Sequence, residues 1–200
     1  MTTTARGCVL VLPGGKVRSD RPARRWQLAN LRMALFAAAL RRQLGPDVEV
    51  RRVRYRLRGW NSPRLEPLHD ARPVLERARE QFDPERIAVV GHSMGGRVAA
   101  HLSAGGDVGA VVALAPWWVG NDGERIPVHT RLLVVHGTAD TWTDPRASQA
   151  QTQAARRRGL DAHWVGIEGA GHYMLRRRRT WHRLAGDFVA RQLAAPVPEP

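Results

Sequence analysis

Residues 87–96 read Ile-Ala-Val-Val-Gly-His-Ser-Met-Gly-Gly. Ile87 to Val90 is a short run of aliphatic residues, the pattern of a strand buried on both faces. Met94 to Ser103 is small and apolar and reads as a helix. Between them lies Gly91-His92-Ser93-Met94-Gly95, a G-x-S-x-G element set between an apolar strand and a helical pattern. A turn this sharp strains the backbone at its centre. Side chains two residues to either side would collide with neighbouring elements, so glycine stands at both. Small residues at Ala99 and Ala100 let the helix lie close to the sheet. Ser93 is then held up at the strand end with its hydroxyl exposed.

Working outward, the same alternation fills the chain. Six apolar runs read as strands: Gly7 to Leu12, Val48 to Tyr55, Arg86 to Val90, Val108 to Leu114, Arg131 to His136 and Ala162 to Ile167. Val48 to Tyr55 alternates with arginine and reads as an edge strand with one wet face. Helical patterns lie between them. Arg25 to Gln43 places Leu28, Leu31, Leu35 and Phe36 on one side and stops near Gly45-Pro46. Leu68 to Phe82 carries Val74, Leu75, Ala78 and Phe82. Pro145 to Arg158 opens with Asp144 as N-cap and Pro145 at the first helical position. Thr180 to Leu193 is the last helix. This order predicts an α/β fold with a doubly wound, mostly parallel six-stranded sheet and helices on both faces. In such sheets ligands sit beyond the carboxyl ends of the strands. Residues 1–194 are expected to form one domain, and 195–200, rich in Pro and Ala, a disordered tail.

The chain has 200 residues, 43% of them hydrophobic and 25% charged, which suits a globular domain with a full core. Met1 to Leu12 holds no apolar segment of secretory length, and no run reaches the ~20 residues of a membrane span. Cys8 is the only cysteine and has no internal disulfide partner, so a reduced, cytoplasmic setting is expected. The net charge of +14 raises the question of a nucleic-acid or membrane-surface partner. Lys16 is the only lysine and the arginines are spread along the chain, a pattern of biased codon usage rather than of a binding arm. Arg156–Arg158 and Arg176–Arg179 fall in expected helices, where a charge run is a solvated face. No nucleic-acid or membrane partner is therefore expected.

A serine hydroxyl needs a neighbouring base to act as a nucleophile. A histidine base needs a carboxylate to fix its tautomer. Both should follow later strands, in the order Ser, Asp, His. The strand ending at Val135 runs into His136-Gly137-Thr138-Ala139-Asp140, and the last strand is followed by Gly169-Ala170-Gly171-His172. Asp122 and Asp144 also lie near strand ends, but Asp140 sits directly at its turn and Asp144 reads as a helix cap. His92 belongs to the sharp turn and His136 to the end of a strand, while His101, His129, His163 and His182 read as packing or surface residues. No His/Cys/Asp/Glu spacing suggests a metal site, and no phosphate loop occurs, so neither metal nor cofactor is expected.

GHSMGG at 91–96, HGTAD at 136–140 and GAGH at 169–172 resemble the three signature segments of the α/β-hydrolase superfamily, and the resemblance runs from Gly7 to about Leu193. It implies a Ser93, His172, Asp140 triad and a serine hydrolase that cleaves small-molecule carboxylic esters. It also implies an oxyanion hole built from the backbone N–H of Met94 and one from the loop after the first strand. That loop is Leu12-Pro13-Gly14-Gly15-Lys16, with Pro13-Gly14 where the family often has His-Gly, which leaves Gly14, Gly15 and Lys16 as donors. Larger members carry a cap after the strand that here ends near Ala115. Only Pro116 to Thr130 is available for one, so an open, shallow, lid-less site is expected. Trp60, Trp117, Trp118 and Trp142 follow expected strands and read either as core aromatics or as an apolar rim for an acyl or aryl group. Lys16 and Arg18, in the oxyanion loop, would favour an anionic substrate. A thioesterase is the alternative enzyme, since GHSMGG also resembles thioesterase elbows. A non-catalytic binding protein on the same fold is the non-enzyme alternative.

Overall fold

The computed structural model describes residues 5–195. Strands β1 (Gly7–Leu12), β2 (Val48–Arg52), β3 (Ile87–His92), β4 (Ala110–Leu114), β5 (Arg131–Gly137) and β6 (Ala162–Ile167) alternate with helices. The helices are α1 (Leu28–Leu44), α2 (Glu66–Arg79), α3 (Met94–Ser103), α4 (Pro145–Arg157) and α5 (Arg178–Ala194). The sheet runs β2-β1-β3-β4-β5-β6, and every neighbouring pair is parallel. Each strand end therefore lies on the same side of the molecule.

Period-two alternation sorts each strand into two apolar layers. Leu10, Leu12, Val89 and Val111 pack with Leu75 of α2, Val98 of α3 and Ala155 of α4. Val9, Val11, Val90 and Val112 pack on the other face with Phe36 of α1 and Trp181 and Phe188 of α5. Two covered faces explain why β1, β3 and β4 are buried along their whole length. β2 and β6 are the edges; β2 alternates between buried and partly exposed residues over most of its length, and β6 is buried only at its two ends. Among the described residues no helix is long and apolar enough to cross a membrane.

Some boundaries differ from expectation. β2 stops at Arg52, although Val53 and Tyr55 stay buried. A short 3-10 turn, Pro84–Arg86, precedes β3, and β4 starts at Ala110. Arg176 and Arg177 precede α5, with Arg177 at its N-cap in a left-handed conformation. Of the expected tail, residues 196–200 lie outside the described residues.

The α1 expectation is corrected. Its buried stripe is Met33, Phe36, Ala37, Leu40 and Leu44, whereas Leu28, Leu31 and Leu35 are exposed. At about 100° per residue, Leu28 lies roughly 140° around the helix from Met33. The helix has more apolar residues than one face can bury, so spacing alone does not choose the face.

Candidate active site

The chain order reverses between β1 and β3, which makes their carboxyl ends the switch point of the sheet. The loops after both strands meet there. Ser93 has φ 56° and ψ −117°, a conformation that costs a residue with a side chain on the order of 1–3 kcal/mol. The flanking glycines show what enforces it. A Cβ on Gly91 would stand 2.1 Å from the carbonyl oxygen of Gly95, and one on Gly95 would stand 2.4 Å from that of Leu12.

Ser93 Oγ lies 3.0 Å from His172 Nε2, and His172 Nδ1 lies 2.8 Å from Asp140 Oδ2. An ionised carboxylate only accepts hydrogen bonds. The proton of neutral His172 therefore sits on Nδ1, leaving Nε2 to accept from the Ser93 hydroxyl. β3, β5 and β6 supply the three groups from loops just past their ends. The Asp140 and His172 loops are tied together, with the N–H of Ala139 donating to the Ala170 carbonyl at 3.0 Å and that of Gly169 to Thr138 Oγ1 at 2.9 Å.

Asp140 is surrounded by donors. Its Oδ1 accepts from the backbone N–H groups of Trp142 and Thr143 at 2.8 and 3.0 Å, and its Oδ2 from the Thr143 hydroxyl at 2.9 Å. His136 Nε2 approaches the same Oδ2 at 3.1 Å, and its Nδ1 contacts Ser148 Oγ at 2.8 Å. Burial alone would raise the Asp140 pKa. The hydrogen bonds from His136, His172, Thr143 and Trp142 outweigh it and hold the carboxyl well below the usual range. Sequence reading left His136 and Thr143 out of the site. The His-Gly-x-x-Asp spacing that begins at His136 was the only available signal.

His92 Nε2–H donates to the His172 carbonyl at 2.9 Å, which anchors the histidine loop to the turn that carries Ser93. Burial, the neighbouring His172 and the Arg32 charge lower the His92 pKa to about 3, so this ring stays neutral. The competing carboxylates have other work. Asp122 is ion-paired to Arg97 at 2.8 Å and contacts His101 at 2.9 Å, and Asp144 caps α4 by accepting from the Arg146 N–H at 2.8 Å.

The order of elements and the turn into α3 are matched by a family model. The model of the Alpha/beta hydrolase family fits residues 9–128. This chain belongs to that family. Among solved structures, the chain resembles Est1E from Butyrivibrio proteoclasticus, with TM-score 0.69 and 15% identity over 96% of this chain and 90% of that one. It also resembles EstE1, a thermostable carboxylesterase from a metagenomic library, with TM-score 0.73 and 19% identity over 98% and 83%. SOBER1 of Arabidopsis thaliana gives TM-score 0.68 and 16% identity over 94% and 100%. No curated protein matches the sequence. For this α/β hydrolase the family match includes Gly14, Gly15 and Ser93, while Asp140 and His172 lie beyond it.

Of the loop amides, Lys16 N–H donates to the Arg58 carbonyl at 2.8 Å and is thereby occupied. Gly14 lies close to the nucleophile, since a Cβ there would stand 3.4 Å from Ser93 Cβ. Met94 begins α3, where backbone N–H groups have no partner within the helix.

The site opens into a cleft of about 810 Å³. Its walls come mostly from Gly14–Arg18, from Trp26–Asn30 with Arg32, and from Leu57 and Arg58, and the segment after β4 adds only Trp117. The tryptophan expectation is corrected in part. Trp117 and Trp142 face the cleft together with Lys16. Trp60 and Trp118 are buried in the core layer under α3, where Trp60 stacks beneath the Arg97 guanidinium and Trp118 donates to the Gly96 carbonyl at 3.1 Å. Both tryptophans follow a strand or loop end closely, but side-chain direction is set by packing that short spacing does not encode.

Proposed function

We propose that this chain is a serine hydrolase that cleaves carboxylic esters of small molecules through an acyl-enzyme. The reading rests on the unbroken chain of contacts from Ser93 Oγ through His172 to Asp140, at 3.0 and 2.8 Å, opening into a cleft of ligand size. Ser93 Oγ attacks the ester carbonyl carbon as its proton passes to His172 Nε2. The Met94 N–H and an N–H of Gly14 or Gly15 receive the tetrahedral oxyanion. Losing one such donor typically slows the reaction about 10²- to 10³-fold. The C–O bond to the alcohol then breaks, and His172 returns the proton to the leaving oxygen. Water attacks the acyl-enzyme with His172 again as base. Asp140, held ionised, stabilises the imidazolium formed in each half. Trp117 and Trp142 supply apolar wall for the acyl or aryl group, and Lys16 stands at its edge.

A fluorophosphonate probe should label the purified protein, and Ser93→Ala should lose both labelling and hydrolysis of 4-nitrophenyl esters. Labelling that persists in Ser93→Ala removes Ser93 from its role.

A further inference from the structure

The cleft that holds Ser93 and His172 is lined by four cationic side chains, Lys16, Arg18, Arg32 and Arg58, and by no Asp or Glu. Among the described residues, none of the four side chains makes an ion pair within 4.0 Å or a hydrogen bond. Arg51, Arg97 and Arg131, also partly buried, each meet a carboxylate. Arg97 meets Asp122 at 2.8 Å and Arg131 meets Asp161 at 2.7 Å. Arg32 departs from that pattern. It projects from α1 with its Nε buried and unpartnered, and its guanidinium carbon lies 4.9 Å from the centre of the Tyr173 ring, next to His172. Its charge is also felt at His92. A half-buried guanidinium without a counter-ion loses hydration that a ring contact offsets only in part, and a ligand anion would supply the missing partner. Beside Tyr173, its planar fork carries paired donors of the kind that meet a carboxylate with two bonds.

Resting on the ester-hydrolase reading above, we propose that the substrate is an ester that carries a second, ionised carboxylate, and that Arg32 is the residue that grips it. The apolar wall formed by Leu57, Trp117 and Trp142 accommodates the hydrocarbon spacer between the ester carbonyl at Ser93 and the carboxylate at Arg32. Lys16, Arg18 and Arg58 add a positive field that draws the anion in and weakens with salt.

The test compares two esters of equal acyl length, mono-4-nitrophenyl adipate and 4-nitrophenyl hexanoate, by the ratio of their kcat/KM values. A ratio of about ten or more in favour of the adipate is expected, falling toward one as ionic strength rises, because charge-assisted contacts of this kind carry about 10- to 100-fold. Arg32→Gln should collapse the ratio through KM for the adipate, and Arg32→Lys should restore part of it. Arg18→Gln, at an exposed position, should lower the ratio less while leaving its remaining salt dependence. A ratio at or below one in the wild type, or a ratio unchanged in Arg32→Gln, overturns the proposal. If the hexanoate is cleaved in a Ser93-dependent way with no adipate preference, the inference fails and the ester-hydrolase reading stands. If neither ester is cleaved and no probe labels Ser93, that reading itself fails. Calorimetry of monoethyl adipate on Ser93→Ala, with and without Arg32→Gln, then decides the carboxylate grip on binding alone: equal or absent binding in both ends it.

Discussion

Asp140 shows how a single side chain is held to one job. Five donors converge on two oxygens, and the two histidines share one of them. The carboxylate cannot rotate without losing several bonds, so the imidazole it faces cannot rotate either. His92 makes a second residue-level demand, because its ring stays neutral in the folded chain down to about pH 3. In the unfolded chain an ordinary imidazole takes up its proton near pH 6.5. Between those values the unfolded state binds the extra proton, so stability falls as pH drops. The loss should reach on the order of 3 kcal/mol by about pH 4. Urea unfolding from pH 7 to pH 4 should show a slope that becomes shallower in His92→Gln. An unchanged slope would mean that His92 is not the buried neutral group. Above pH 6.5 the two proteins should differ only by a constant offset.

At the scale of elements, the turn from β3 into α3 and the start of α4 are fixed by opposite means. The first uses the absence of side chains. In Gly95→Ala the new methyl would meet the carbonyl oxygens of Leu12 at 2.4 Å and Pro13 at 2.7 Å, and both belong to backbone that carries the oxyanion loop. Overpacking of this kind costs about 1–3 kcal/mol and moves Gly14 as well, so activity should fall with stability. The second uses a cap. Asp144→Ala removes one bond to the Arg146 N–H and should cost about 1 kcal/mol, with activity kept because the Asp140 shell does not include it. Urea midpoints and ester turnover measured on both variants check the contrast. A Gly95→Ala protein as active as wild type would contradict the close approach of β1 and α3.

At the scale of the molecule, the cleft depends on two segments about 40 residues apart in sequence. Lys16 bridges Gly59 and Pro22 bridges Leu57. Asn61 completes the join by accepting from the Ser19 N–H at 2.8 Å and donating to the Ser19 carbonyl at 3.2 Å. Asn61 also has φ 52°, which asparagine tolerates better than alanine. Asn61→Ala should therefore destabilise by about 1–3 kcal/mol and raise KM more than it lowers kcat, since it loosens a wall and not the triad. Thermal unfolding and steady-state kinetics check this, and a fall confined to kcat would point elsewhere. The same division holds for the rest of the fold and the site. The alternation of strands and helices, the sharp turn at Ser93, the order of Ser93, Asp140 and His172, and the Asp144 cap were all readable. Each depends on periodicity or turn chemistry acting over a few adjacent residues. The buried face of α1, the orientation of four tryptophans, the second histidine on Asp140 and the unpaired Arg32 in the cleft were not. Each depends on how distant segments dock, and docking is settled by the fit of whole surfaces, where many side chains compete for one limited interior.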